Sequence, residues 1–329
     1  MVIVKRAIFG WALLCVVLAL SALGSARAAG QQGCTLKEVG ALPVSKAQNG
    51  LLTVPVNIEG HEQPMILPLM NFTVLSRNAF PDRDPDPVGP GLSGLTINFL
   101  GRKVDQHVRV RELALGREQG RDLKLAYTAE PLVPGTSGAL GLDLLSNTDV
   151  ELDLAGGKLN LFAQDHCPGT VVYWSGSFAV LPMRRDMVGH ILLDMELDGK
   201  PIEAQLFLVD EDALMGTADA ERIFGLTPQS AGMTSFQQDG ESLYRYPFKT
   251  LSVGGLLVRN PHIVLFPQKK AHRCRTTHKL DPGESGCFGG ADLVLGRDIL
   301  RQLHLFIAFK EQKIYITAAA APSQPSGGK

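Results

Sequence analysis

The chain of 329 residues has few aromatics, no surplus of either charge and, beyond its first residues, no long hydrophobic run. Aromatics make up 6% of it, with only two Trp. Lys and Arg total 32 against 33 Asp and Glu, a formal charge of −1, and no segment gathers basic residues into a stripe. That balance excludes a general nucleic-acid binder. A single apolar stretch, at the front, excludes a multi-span membrane protein. No Gly-x-Ser-x-Gly elbow, His-Glu-x-x-His pair, phosphate loop or dinucleotide fingerprint occurs, so no cofactor is expected. What the chain does have is 35 Gly and 20 Pro, a composition suited to many short strands joined by turns.

The front of the chain reads as an export signal. Lys5 and Arg6 precede an almost unbroken apolar run from Ala7 to Leu23, and Ala26-Arg27-Ala28 supplies a small-x-small cleavage pattern. Residues 1–28 are therefore expected to be a signal peptide, with the mature protein periplasmic or secreted and free of the membrane. An uncleaved anchor is the alternative. Cleavage removes Lys5, Arg6 and Arg27 and no acid, which takes the formal charge to −4. It also removes Cys15, leaving Cys34, Cys167, Cys274 and Cys287. Four cysteines in an oxidising compartment read as two disulfides, with three pairings open. Cys34–Cys167 and Cys274–Cys287 are preferred, the first tying the ends of one half and the second stapling a loop. His272, Cys274, His278 and Cys287 are a rival set of zinc ligands, but their spacing fits no common finger.

The chain is organised as a repeat. Leu140-Gly141-Leu142-Asp143-Leu144-Leu145, then Asp149 to Leu154 and Lys158 to Leu161, recurs as Leu295-Gly296-Arg297-Asp298-Ile299-Leu300, then His304 to Phe309 and Lys313 to Ile316. Each block predicts a strand entering a tight Gly, a short helix capped by Asp, and a hairpin. The starts match as well. Leu51 to Ile58 with Glu59-Gly60 parallels Ile191 to Leu197 with Asp198-Gly199, and each is followed by an apolar run. Leu256 to Leu265 reads as one strand-like segment. A period this long means duplicated domains rather than a solenoid.

The order of parts resembles the retropepsin-like aspartyl proteases found as exported bacterial proteins. Val253-Gly254-Gly255-Leu256-Leu257-Val258-Arg259-Asn260, the Leu295 to Leu300 block and the helix-like Ala220 to Leu226 carry the resemblance. It implies an all-β fold of two tandem retropepsin-like (acid protease) β-barrel domains, residues 29–168 and 169–317, each with one or two short helices. Residues 318–329 would form a disordered tail.

Where the chemistry should lie, the sequence departs from the pattern. Aspartic proteolysis needs two carboxylates sharing one proton, each in Asp-(Thr/Ser)-Gly in the family. The first half offers Leu67-Pro68-Leu69-Met70-Asn71, with no acid in any register. Asn71 is the nearest polar group, and an amide is no general base. The second half offers Phe207-Leu208-Val209 before Asp210-Glu211-Asp212-Ala213. Asp210 stands as far beyond Gly199 as Asn71 does beyond Gly60, so counting pairs the two. The expected protein is an exported relative of the proteases that has lost catalysis. Leu67, Pro68, Leu69 and Phe207 would floor a cleft for an extended peptide or protein. The alternatives are an active endopeptidase using Asp210, as a dimer or with a second acid, and an exported metal-binding protein.

Overall fold

The computed structural model describes residues 35–87, 97–100, 102–186, 189–238, 240–267 and 291–320. The leader, Cys34, Cys274, Cys287 and most of the tail lie outside them. Among the described residues no helix is long and apolar enough to cross a membrane.

The first half runs through β1 (Glu38–Pro43), β2 (Ser45–Lys46), β3 (Leu52–Ile58), β4 (His61–Ile66), β5 (Val74–Ser76), β6 (Asp86–Pro87), β7 (Ile97–Phe99), β8 (Arg102–Val104), β9 (Gln106–Leu115), β10 (Glu118–Thr128) and β11 (Gly138–Ala139). A one-turn helix α1 (Leu142–Leu145) and the hairpin β12 (Asp149–Asp153) and β13 (Lys158–Phe162) complete it. Strands β3, β4, β11, β5, β10 and β9 lie side by side, and β3 pairs again with β9, closing a six-stranded barrel. The alternation of buried and exposed residues along β9 and the nearly continuous burial of β3 follow from that closure.

The second half repeats the plan. It comprises β14 (Ala179–Pro182), β15 (Arg184–Arg185), β16 (Ile191–Leu197), β17 (Lys200–Leu206), β18 (Ala213–Gly216), α2 (Thr217–Phe224), β19 (Thr234–Gln238), β20 (Glu241–Arg245), β21 (Thr250–Val253), β22 (Leu256–Arg259), β23 (Ile263–Phe266), β24 (Leu293–Leu295), α3 (Arg297–Leu300), β25 (Leu303–Ala308) and β26 (Lys313–Ala318). The order β16-β17-β24-β18-β23-β20 reproduces β3-β4-β11-β5-β10-β9. This barrel stays open. Where the first half has the continuous β10, the Leu256 to Leu265 segment breaks at Asn260-Pro261-His262, since Pro261 has no N–H for a ladder. The fold is thus all-β, with one closed barrel and one half-barrel, consistent with the retropepsin-like double-barrel plan.

Matched turns start both units. Glu59-Gly60 has φ of 51° and 88°, and Asp198-Gly199 has 47° and 73°. Two successive left-handed residues make the tight hairpin that suits twisted strands, and glycine takes the second without strain. The acids then tie the turn to the next strand. Asp198 accepts the amides of Lys249 and Thr250, while Glu59 accepts the amide and guanidinium of Arg111 and the guanidinium of Arg83.

A third sheet joins the halves. Its order, β1-β13-β12-β25-β26-β14, is symmetric about the central β12·β25 pair, each half giving a hairpin and one outer strand. Val150, Leu152, Leu305 and Ile307 point from this sheet into a core cluster that also takes in both barrels. The opposite face packs Phe162, Phe306 and Tyr315 against Val171, Val172 and Trp174 of the connecting segment.

Candidate functional site

The two loops that follow β4 and β17 occupy the place the sequence assigns to catalysis. Leu67, Pro68 and Leu69 are buried, Leu67 and Leu69 fully. Leu69 has φ 58°, a left-handed conformation that costs a branched residue about 1–2 kcal/mol and that glycine adopts freely. This is the third position of the loop, where the resembled motif has its Gly. The bend is therefore held by a residue that does not favour it, and Leu67 and Pro68 fall in the preceding two positions.

The loops touch. Leu208 donates its amide to the Pro68 carbonyl at 3.1 Å. Val209 and Met70 both pack on the apolar cluster containing Ile66 and Val74, so the second loop rests partly on the first barrel. Leu208 is buried, Phe207 and Val209 partly so. Apolar side chains thus line the place where the two loops meet.

The short helices hold the loops from behind. Leu142 and Asp143 donate their amides to the carbonyls of Met70 and Asn71, at 2.6 and 2.8 Å. Arg297 and Asp298 donate theirs to Asp210 and Glu211, both at 3.0 Å. These contacts set Asp210 opposite Met70 and Glu211 opposite Asn71. The strands before the loops keep the register of the count from the turns, since Ile66 beside Ala139 matches Gln205 beside Val294. The second loop therefore holds one extra residue, which displaces Asp210 from the place of Asn71.

The helix caps differ from the sequence expectation. Gly141 and Gly296 are the N-caps, and neither Asp caps from outside. A Cβ at Gly141 would sit 2.3 Å from the Phe72 carbonyl carbon, and one at Gly296 2.3 Å from the Asp212 oxygen, so only glycine fits. The aspartates lie inside the first turn. Asp143 accepts the Thr73 amide at 3.0 Å and the Thr73 hydroxyl at 2.7 Å.

Arg297, buried, takes the position of Leu142 in the other half. It donates to the carbonyls of Leu208 at 2.9 Å and Val209 at 2.5 Å, and its Nε to Glu211 at 3.1 Å. Arg301 also pairs with Glu211. Burial pushes the Asp210 carboxyl above its ordinary value, with Arg297 pulling it back and Asp212 adding to the rise. Asn71 is occupied from the second half, its Oδ1 accepting from Arg185 at 2.8 Å while Gly189 lies against its side chain. The signal for Arg297 was available as the one charged letter distinguishing Leu-Gly-Arg-Asp from Leu-Gly-Leu-Asp.

Asp212, His262 and Asp298 offer ligand atoms within 4.8 Å of one another, and no sequence motif announced them. The set considered from sequence, His272 to Cys287, lies outside the described residues. So do Cys34, Cys274 and Cys287, although Cys167 is described.

No family model matches the chain, and no curated protein matches it. Among solved structures, the chain is similar to a retropepsin-like aspartic protease from Rickettsia conorii. The identity is 14% and the TM-score 0.31, over 45% of this chain and 98% of that one.

Proposed function

We propose that the protein is an exported, non-catalytic member of the aspartic-protease architecture whose cleft holds an extended peptide or protein segment. One observation carries this reading: Leu67 and Phe207 begin the two facing loops, and neither loop places an acid at its start. Asp210, three residues further along, is matched by Met70 in the other half. Proton sharing needs two carboxylates in contact, and Asp210 has an apolar counterpart.

The cleft's retained parts support binding. The hairpin β19–β20 stands at the end of the second half's sheet, and among the described residues β19 leaves an unpaired edge. An extended peptide could add to such an edge by main-chain hydrogen bonds. Export is supported by the leader pattern at residues 1–28. The Cys34–Cys167 pairing proposed from the sequence would tie the ends of the first half, where β1 pairs with β13 and the Ala163 amide reaches the Lys37 carbonyl.

Unstructured casein at acid pH, with the full mature chain and its Asp210→Ala variant, tests the reading. No cleavage by either protein, with retained binding of a peptide library, supports it. Cleavage by the wild type that disappears in Asp210→Ala overturns it in favour of an endopeptidase.

A further inference from the structure

We propose that Asp212, His262 and Asp298 bind a divalent transition-metal ion, leaving a coordination position open toward the cavity beside Arg245. This inference stands apart from the reading of the cleft and uses none of the residues at its floor.

Comparison of the halves shows how the trio arose. The helix-to-loop contacts match Thr73 with Ala213. In the first half, Thr73 gives Asp143 its amide and hydroxyl. Ala213 has no hydroxyl, and its amide goes to the His262 carbonyl instead, at 3.3 Å. Asp298 keeps the bond from the Ile299 amide, at 2.7 Å, and where Asp143 has Thr73 it has His262 and Asp212, with ligand atoms within 4.8 Å. An imidazole and a second carboxylate have thus replaced a pair of hydrogen-bond donors.

The break in the second barrel delivers the imidazole. Asn260 has φ 49° and Pro261 cannot pair, so the chain leaves the sheet and re-enters it after His262. The first half has unbroken β10 there and no counterpart of this gap. Beside the break lies a cavity of about 600 Å³, lined by His262, Arg245, Tyr246, Phe248 and Thr234 among others. One imidazole and two carboxylates are the donor types that zinc and its neighbours accept, and three protein ligands with one open position is the arrangement of sites that take water or an anion. The three ligand atoms all lie within 4.8 Å of one another, near enough to be drawn onto one ion.

Arg245 is the competitor. Its guanidinium lies 3.3 Å from Asp212, and the residue also lines the cavity. Metal entry requires it to let go, after which its charge faces the open position, where a carboxylate or phosphate oxygen would complete the shell.

Titration of the metal-free full mature chain with Co²⁺ and Zn²⁺, by absorbance and calorimetry, tests the site. The expected wild-type result is one ion per chain, with weak cobalt bands typical of oxygen and nitrogen donors. His262→Gln, at an exposed position, and Asp298→Asn are each expected to weaken binding at least about tenfold. Arg245→Gln is expected to tighten it severalfold, an effect a purely structural loss would not produce. No binding by the wild type, affinity unchanged in His262→Gln, or a thiolate charge-transfer band from the Cys274 and Cys287 loop would each overturn the proposal. If Asp298→Asn loses its far-UV circular dichroism, the decision rests on the His262 and Arg245 variants.

Discussion

Thr73 and Asp143, 70 positions apart, are joined by three hydrogen bonds: the Thr73 amide reaches both carboxylate oxygens and its hydroxyl reaches one at 2.7 Å. The same hydroxyl accepts the Gly141 amide at 2.9 Å, so it links loop and helix in both directions. Thr73→Val keeps the shape but removes the hydroxyl's bond to Asp143 and leaves the buried Gly141 amide without its acceptor. We expect a loss of about 1.5–3 kcal/mol in the urea midpoint analysis. Burial already holds Asp143 above its ordinary value, and the Thr73 bonds pull it back. An acid raised in the folded state contributes most below its unfolded pKa, and that contribution is lost as pH rises through the folded value. Removing the hydroxyl raises the folded value further, so the deficit should be larger at pH 7 than at pH 3.

Leu69 makes an unusual order of substitutions. Its side chain is fully buried and its φ is 58°. Leu69→Ala should cost about 2–5 kcal/mol through the cavity it leaves. Leu69→Gly leaves a similar void but frees the left-handed backbone, and should be the milder variant by about 1 kcal/mol. Thermal unfolding of the pair decides it, and a more damaging Gly would show that the loop's bend carries no strain.

Glu59 predicts acid sensitivity at the first barrel. Its carboxyl is held well below the ordinary value by hydrogen bonds from Arg83 and then Arg111, against the opposing effect of burial. A depressed acid stabilises above its unfolded pKa and gives that stability up as pH falls through it toward the folded value. Glu59→Gln should lose about 1–2 kcal/mol at pH 7, reduced by the solvent around Arg111, and progressively less as pH falls below the ordinary glutamate range. Stability against pH for the two proteins should therefore converge in acid.

Glu151 is the hub of the joining sheet. It accepts from His304 at 2.8 Å, from Tyr173 at 2.6 Å and from Asn160 at 3.1 Å. Burial alone would push it up, but His304, Tyr173 and Asn160 together outweigh burial and leave it lowered. The His304 ring stacks on Trp174 at 4.0 Å, nearly parallel. Glu151→Leu strands three polar partners and should cost about 3–5 kcal/mol. Trp fluorescence should change in the folded variant, because the stacked imidazole loses its anchor.

The repeat, the matched turns and the two Leu-Gly-x-Asp blocks were legible because they are local and periodic. Glycine at 141 and 296 was legible as a tight point, but its purpose was not. Only the folded chain shows the loop backbone pressed against it, and hence that the aspartates serve inside the helix. The pairing of Asp210 with Asn71 rested on counting from the turns. The count holds along the strands and fails in the loop, where one added residue has no letter to mark it. The break at Pro261 could be read from the residue itself, since proline cannot donate to a ladder. The Asp212, His262 and Asp298 trio could not, because three distant segments meet only through sheet topology. Glu151 and His304, 153 positions apart, were hidden for the same reason.

Strand β12 lies between β13, next to it in sequence, and β25, which is made last but one. At about 5–20 residues per second, roughly 8–30 s of synthesis separate the two strands. Until β25 is in place, β12 lacks a partner along one edge. Asp149 and Glu151, both on that edge, make it a poor template for foreign strands, since inward charges oppose unplanned pairing. His304 arrives with β25 to satisfy Glu151. The acids buried at the seam thus guard an unfinished chain before they stabilise a finished one.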